Sequence, residues 1–77
     1  MNRPAGHIRV REFVHSGRWL VFHAPGGDVF GRAHSITVSY GWEGLRAVCE
    51  FVTEKGSRLN LKGNELELLE PVFADPA

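Results

Sequence analysis

Short apolar segments alternate with glycine- and proline-containing punctuation along the whole 77-residue chain, the breaks falling at Ser16-Gly17, Pro25-Gly26-Gly27, Gly41 with Gly44, Lys55-Gly56-Ser57 and Gly63-Asn64. Turn signals at intervals of roughly 8–12 residues between such segments predict an all-β sandwich or barrel. Ile8–Val14 and Arg18–His23, rich in branched and aromatic side chains, flank Ser16-Gly17 and read as a first hairpin. Asp28–Tyr40 is long for one strand, and Gly31 followed by Arg32-Ala33-His34-Ser35 marks a bulge or sharp bend within it. Beyond that point Ile36, Val38 and Tyr40 alternate with Thr37 and Ser39, the pattern of a half-buried strand.

Leu45–Thr53 supports two periods. Leu45, Val48, Cys49 and Val52 fall at i, i+3, i+4 and i+7, with Gly56 placed as a helix stop. Strand periodicity fits as well, with Leu45, Ala47, Cys49 and Phe51 on one side. The β-forming run Val48–Thr53 and the glycine-containing loop Glu54-Lys55-Gly56 favour the strand. Pairing across that loop sets Phe51 opposite Leu59 and Cys49 opposite Leu61 on one face. The other face then carries Val52 beside Arg58 and Glu50 beside Asn60, so one register satisfies both. A last strand is expected over Glu65–Glu70, ended by Pro71, which has no N–H to give to a ladder.

These elements predict an all-β fold: a small curled sheet or SH3-like barrel of five to six short antiparallel strands. The alternative is α+β with one helix near 43–55. Strand count and size alone invite comparison with SH3-like and Sm-like barrels; no motif specific to either is present, and architecture does not determine function. No repeat or linker divides the chain, so 1–77 reads as a single domain with an ordered core over about 7–71 and a loose tail at 72–77.

Composition narrows the function classes. A 43% hydrophobic share is too high for a disordered chain, and one cysteine excludes an internal disulfide framework. Met1–His7 has no apolar stretch of the kind a secretory signal needs, and the longest uninterrupted apolar run is Trp19–Phe22, against about 20 residues for a membrane span. A cytoplasmic protein without a membrane partner is expected. The net charge is zero, yet it is unevenly distributed. Arg3, Arg9, Arg11, Arg18, Arg32 and Arg46 outnumber Glu12, Asp28 and Glu43 in residues 1–46, giving +3, and residues 47–77 carry −3. All four histidines lie in the basic half. Such a split suits either an anionic partner or halves that neutralise each other.

Candidate chemistry is sparse. His7, His15, His23 and His34 are spaced by 8, 8 and 11 residues, unlike the tight pairs of structural zinc sites, and eight extended residues span about 26 Å, so no metal is expected. Cys49, among Val48, Phe51 and Val52, reads as a small core residue rather than a nucleophile. Glu65 and Glu67 read as a solvated strand edge. Pro25-Gly26-Gly27-Asp28 lacks the Lys and Ser/Thr of a phosphate loop, and no cofactor signature appears. The chain is expected not to be an enzyme.

The first hairpin would place Arg9, Arg11, Phe13, Arg18, Leu20 and Phe22 on one face, opposite a core face of Ile8, Val10, Val14, Trp19 and Val21. Tyr40 and Trp42 form a second aromatic group in a glycine-rich loop. Together these predict a non-catalytic interaction module that binds a protein partner or its own copies through Arg9, Arg11, Phe13, Arg18, Leu20, Phe22, Tyr40 and Trp42. The alternative is a nucleic-acid-binding small barrel using Arg9, Arg11, Arg18, Arg32, Phe22 and Trp42, where arginines track phosphates and rings stack on bases. A third reading is a small enzyme whose site is built by oligomerisation.

Overall fold

A computed structural model describes residues 6–72. Helix α1 (Gly6–Ser16) leads into five strands: β1 (Leu20–Ala24), β2 (Gly27–Gly41), β3 (Gly44–Thr53), β4 (Arg58–Lys62) and β5 (Leu69–Pro71), with a 3₁₀-helix over Gly63–Leu68 before β5. The strands form one antiparallel sheet in the order β4-β3-β2-β1-β5. The mostly antiparallel architecture is as predicted, as an open curled sheet and not a closed barrel. Beyond Val72, the C-terminal tail expected from the sequence lies outside the described residues.

The first hairpin is corrected. Residues 6–16 are helical, and Ser16-Gly17 stops the helix instead of turning a strand. Ile8, Val10 and Val14 satisfy a period of two, but Val10, Phe13 and Val14 also satisfy i, i+3 and i+4, and it is this stripe that the fold buries. At the helix end the Gly17 N–H donates to the Phe13 carbonyl at 3.0 Å, and Gly17 adopts φ +67, a left-handed cap that glycine accepts without penalty. The Ser16 hydroxyl donates to the same carbonyl at 3.2 Å.

The expected strand over Glu65–Glu70 is also corrected, and the strand count is five. The Lys62 N–H donates to Glu65 Oε1 at 3.0 Å, capping the 3₁₀-helix that follows. Leu66 within the 3₁₀-helix and Leu69 at the start of β5 are both buried.

Ile8 and Trp19, expected on a core face, are exposed; the β3–β4 hairpin and the bend in β2 are as predicted. Leu45–Thr53 lies within strand β3, and β3 pairs with β4 in the expected register: Cys49 with Leu61, Glu50 with Asn60, Phe51 with Leu59 and Val52 with Arg58. β2 is one 15-residue strand with a bulge between Ala33 and Ser35. Gly31 lies so close to β3 that a Cβ there would meet the Val52 carbonyl oxygen at 2.2 Å, so only glycine fits.

One face of the sheet is covered by α1 and the 3₁₀-helix. Its core comprises Val10 and Phe13 of the helix, Leu66, and the sheet residues Leu20, Phe22, Ala33, Ala47, Cys49, Phe51, Leu61 and Leu69. The Phe22 and Phe51 rings meet at 6.3 Å between centroids, tilted by 56°. No helix among the described residues is long and apolar enough to cross a membrane.

Candidate interaction surface

The structure separates the residues expected on one Arg/aromatic face. With residues 6–16 helical, that face does not exist. Phe13, Leu20 and Phe22 are part of the core instead, because β1 turns Leu20 and Phe22 toward the helix that covers the sheet. Arg9 reaches across the covered face: Nη2 donates to the Leu69 carbonyl at 3.1 Å, the guanidinium lies 5.6 Å from the Phe13 ring centroid, and Nη1 is buried without a partner. Arg9 thereby ties α1 to β5. Arg11 is exposed on α1, and Arg18 is exposed just past the helix. The nucleic-acid set is scattered with them, since Phe22 is internal and Trp42 lies at the far end of β2.

Arg32 finds an aromatic partner in Trp19, a residue whose pattern places it in the core. Its guanidinium sits 4.3 Å over the Trp19 ring, and Trp19 is 43% exposed. Register explains the placement. Val21 pairs with Phe30 and Arg32 with Val52, so these side chains share the sheet face that no helix covers. The available signal was the alternation of Phe30 and Arg32 with the small residues Gly31 and Ala33, which only a tightly covered inner face requires.

The Tyr40–Trp42 group is exposed. β2 and β3 stay paired to Gly41 and Gly44, whereas β1 accompanies β2 only over Gly27–Gly31 and β4 accompanies β3 only over Val48–Val52. Beyond those limits the two strands continue as a ribbon with a two-residue turn, Trp42-Glu43. Tyr40 is 79% exposed, Trp42 95%, and Leu45, which pairs with Tyr40, 45%. Sequence reasoning missed Leu45 as a member of this group, although its pairing follows from the turn. Arg46 donates to Glu43 at 2.9 Å beside the tip, and a shallow depression of about 290 Å³ runs between Ser39, Tyr40, Trp42 and Arg46.

Among the described residues, charged side chains pair both within and across the two halves of the chain. Arg46–Glu43 lies in the basic half, and Arg58–Glu50, at 3.0 Å, in the acidic half. His23 faces Asp28 at 2.9 Å and Glu70 at 3.9 Å, and His34 faces Glu50 at 3.9 Å. Among the described residues no group of three or more His, Cys, Asp and Glu side chains is arranged to hold a metal ion. Cys49 is buried, and burial first, with Glu50 beside it second, pushes its thiol up to about 11. That keeps it protonated and a poor nucleophile at neutral pH.

No protein-family model, curated protein or solved structure matches this chain.

Proposed function

We propose that this protein is a non-catalytic interaction module whose contact surface is the β2–β3 ribbon. The observation that carries the reading is the exposure of Tyr40 and Leu45, on paired strands that outrun the rest of the sheet, together with Trp42 in the turn that joins them. Large rings held in water on a regular backbone lose little conformational freedom on docking. Fully burying one aromatic side chain contributes about 1.5–3 kcal/mol. A two-stranded ribbon is also marginally stable alone, so it gains from a neighbour.

Replacing Trp42 with a photo-crosslinking amino acid in the native host tests the reading. A covalent adduct, with a second chain or another protein, is expected on irradiation. Absence of any adduct would remove the ribbon as a contact surface. A second reading, nucleic-acid binding, draws support from Arg32 stacked on Trp19 beside Phe30 on the uncovered sheet face. It requires single-stranded oligonucleotide binding that weakens steeply with salt and is reduced by R32A.

A further inference from the structure

The side of β3 before Val48, which β4 does not reach, carries Arg46; of three further stretches of open edge three residues or longer, two are guarded. β4 carries Arg58 and Lys62 along its length. β5 has three residues and ends in Pro71. Short length, charge and proline are the usual means of preventing further strand addition. The third stretch is the side of β2 that β1 abandons after Gly31. From Ser35 to Gly41 it reads Ser-Ile-Thr-Val-Ser-Tyr-Gly, with no charge, no proline and four residues that are β-branched or aromatic. Among the described residues no strand lies alongside it there.

Hydrogen-bond alternation identifies the open groups. A two-residue turn makes Gly41 and Gly44 a hydrogen-bonded pair, so Ser39 with Arg46 and Thr37 with Val48 bond across to β3 as well. Ile36, Val38 and Tyr40 therefore point their N–H and C=O groups to the open side.

We infer that this edge pairs with the same edge of a second copy of the chain, antiparallel and centred on Val38. This deepens the proposed function and rests on the ribbon being a contact surface. In that register Ile36 of one copy faces Tyr40 of the other, and Val38 faces Val38. These are the residues with open backbone groups on both sides, so every one is satisfied in reciprocal pairs. Their side chains lie on the sheet face that α1 covers, where Ile36 and Val38 already pack against the core, and they meet apolar against apolar at its margin, while Thr37 faces Ser39 on the other face, hydroxyl against hydroxyl. Ser35 faces Gly41, so the paired segment fills the interval between the bulge and the turn. Trp42 of each copy then lies beside the other copy's bulge. A neutral segment lets two identical strands meet without opposing like charges, which a segment bearing one charge at its centre would not. The contact is isologous and closes at two copies.

Sedimentation equilibrium or light scattering across a concentration series, on the full chain, tests the pairing. The wild type is expected to reach twice the 8.6 kDa of one chain. Thr37 and Ser39 are exposed and their backbone bonds to β3 do not involve their side chains, so substitutions there leave the fold intact by circular dichroism. T37K/S39K sets lysines opposite one another twice and weakens the dimer roughly tenfold or more. T37K/S39E sets opposite charges together and returns the dissociation constant to within about threefold of wild type, which only this register explains. A wild-type chain that stays at 8.6 kDa up to about 1 mM overturns the inference. So does T37K/S39K associating as wild type does. If Trp42 cross-links only to a different protein, the second copy is wrong and the interaction module stands; if it cross-links to nothing, the module reading itself falls.

Discussion

Replacing Gly31 with alanine probes how β2 and β3 are held together. The added Cβ would sit 2.2 Å from the Val52 carbonyl oxygen, 2.8 Å from the Thr53 Cα and 2.9 Å from the Phe51 Cε2. Ordinary contact begins near 3.4 Å, and two of the three atoms are backbone, so the strands must part by about 1 Å. Overpacking of this kind costs about 1–3 kcal/mol, and the neighbouring ladder bonds between Gly31–Arg32 and Val52–Thr53 weaken as well, for roughly 2–4 kcal/mol in all. For a domain of this size each kcal/mol lowers the Tm by about 4–8 °C, so a fall of roughly 10–25 °C is expected. Thermal unfolding followed by circular dichroism reads it, and denaturant unfolding should show a lower midpoint at an unchanged slope. Gly26→Ala is the control. Its Cβ would meet nothing within 4 Å and its φ is not positive, so stability should stay within about 0.5 kcal/mol of wild type. A Gly31→Ala protein melting within about 3 °C of wild type would refute the argument that close approach, rather than general flexibility, demands glycine there.

Four further outcomes follow from the buried and stacked groups. The Cys49 thiol, raised to about 11, should resist alkylation at pH 8 in the folded protein and react at once in denaturant. Because its folded value lies above its unfolded one, it favours the native state below pH 9 and loses that contribution as pH rises toward 11; Cys49→Ala should remove this alkaline loss in pH-dependent unfolding. Arg9→Ala removes the bond to the Leu69 carbonyl and the packing over Phe13, and should destabilise by about 1–2 kcal/mol in urea unfolding without altering association through the ribbon. Arg32→Ala unstacks the Trp19 ring, which should red-shift tryptophan emission measured in a Trp42→Phe background while leaving the Tm within a few degrees.

The legible parts of the fold were those in which a short loop couples two faces. Glu54-Lys55-Gly56 brings β3 and β4 together over a few residues, and only one register pairs Phe51 with Leu59 while leaving Glu50 and Arg58 outward. The bulge in β2 was equally local, announced by Gly31 and the polar residues after it. Tyr40 and Trp42 were recognisable as a group because Gly41 and Gly44 set them at one turn, but whether that turn folds over the core or stands in water is decided by packing. Leu45 was harder to see, since its exposure depends on β4 ending its pairing at Val48.

The amino-acid sequence by itself determined the antiparallel sheet, the β3–β4 register, the bend in β2 and an aromatic turn, since each follows from interactions among residues close along the chain. Tertiary structure alone decided which apolar faces became interior. Ile8–Val14 carries patterns for both a strand and a helix, and the choice falls to the helix because the open sheet has a concave face to cover, filled by Val10 and Phe13. That choice moved Phe13, Leu20 and Phe22 from an expected contact face into the core and put Trp19 outside beneath Arg32. It also freed the upper edge of β2, because residues that would have continued the first strand beside it were taken up in α1. A period records which residues can share a face; only the packed chain determines whether that face meets protein or water.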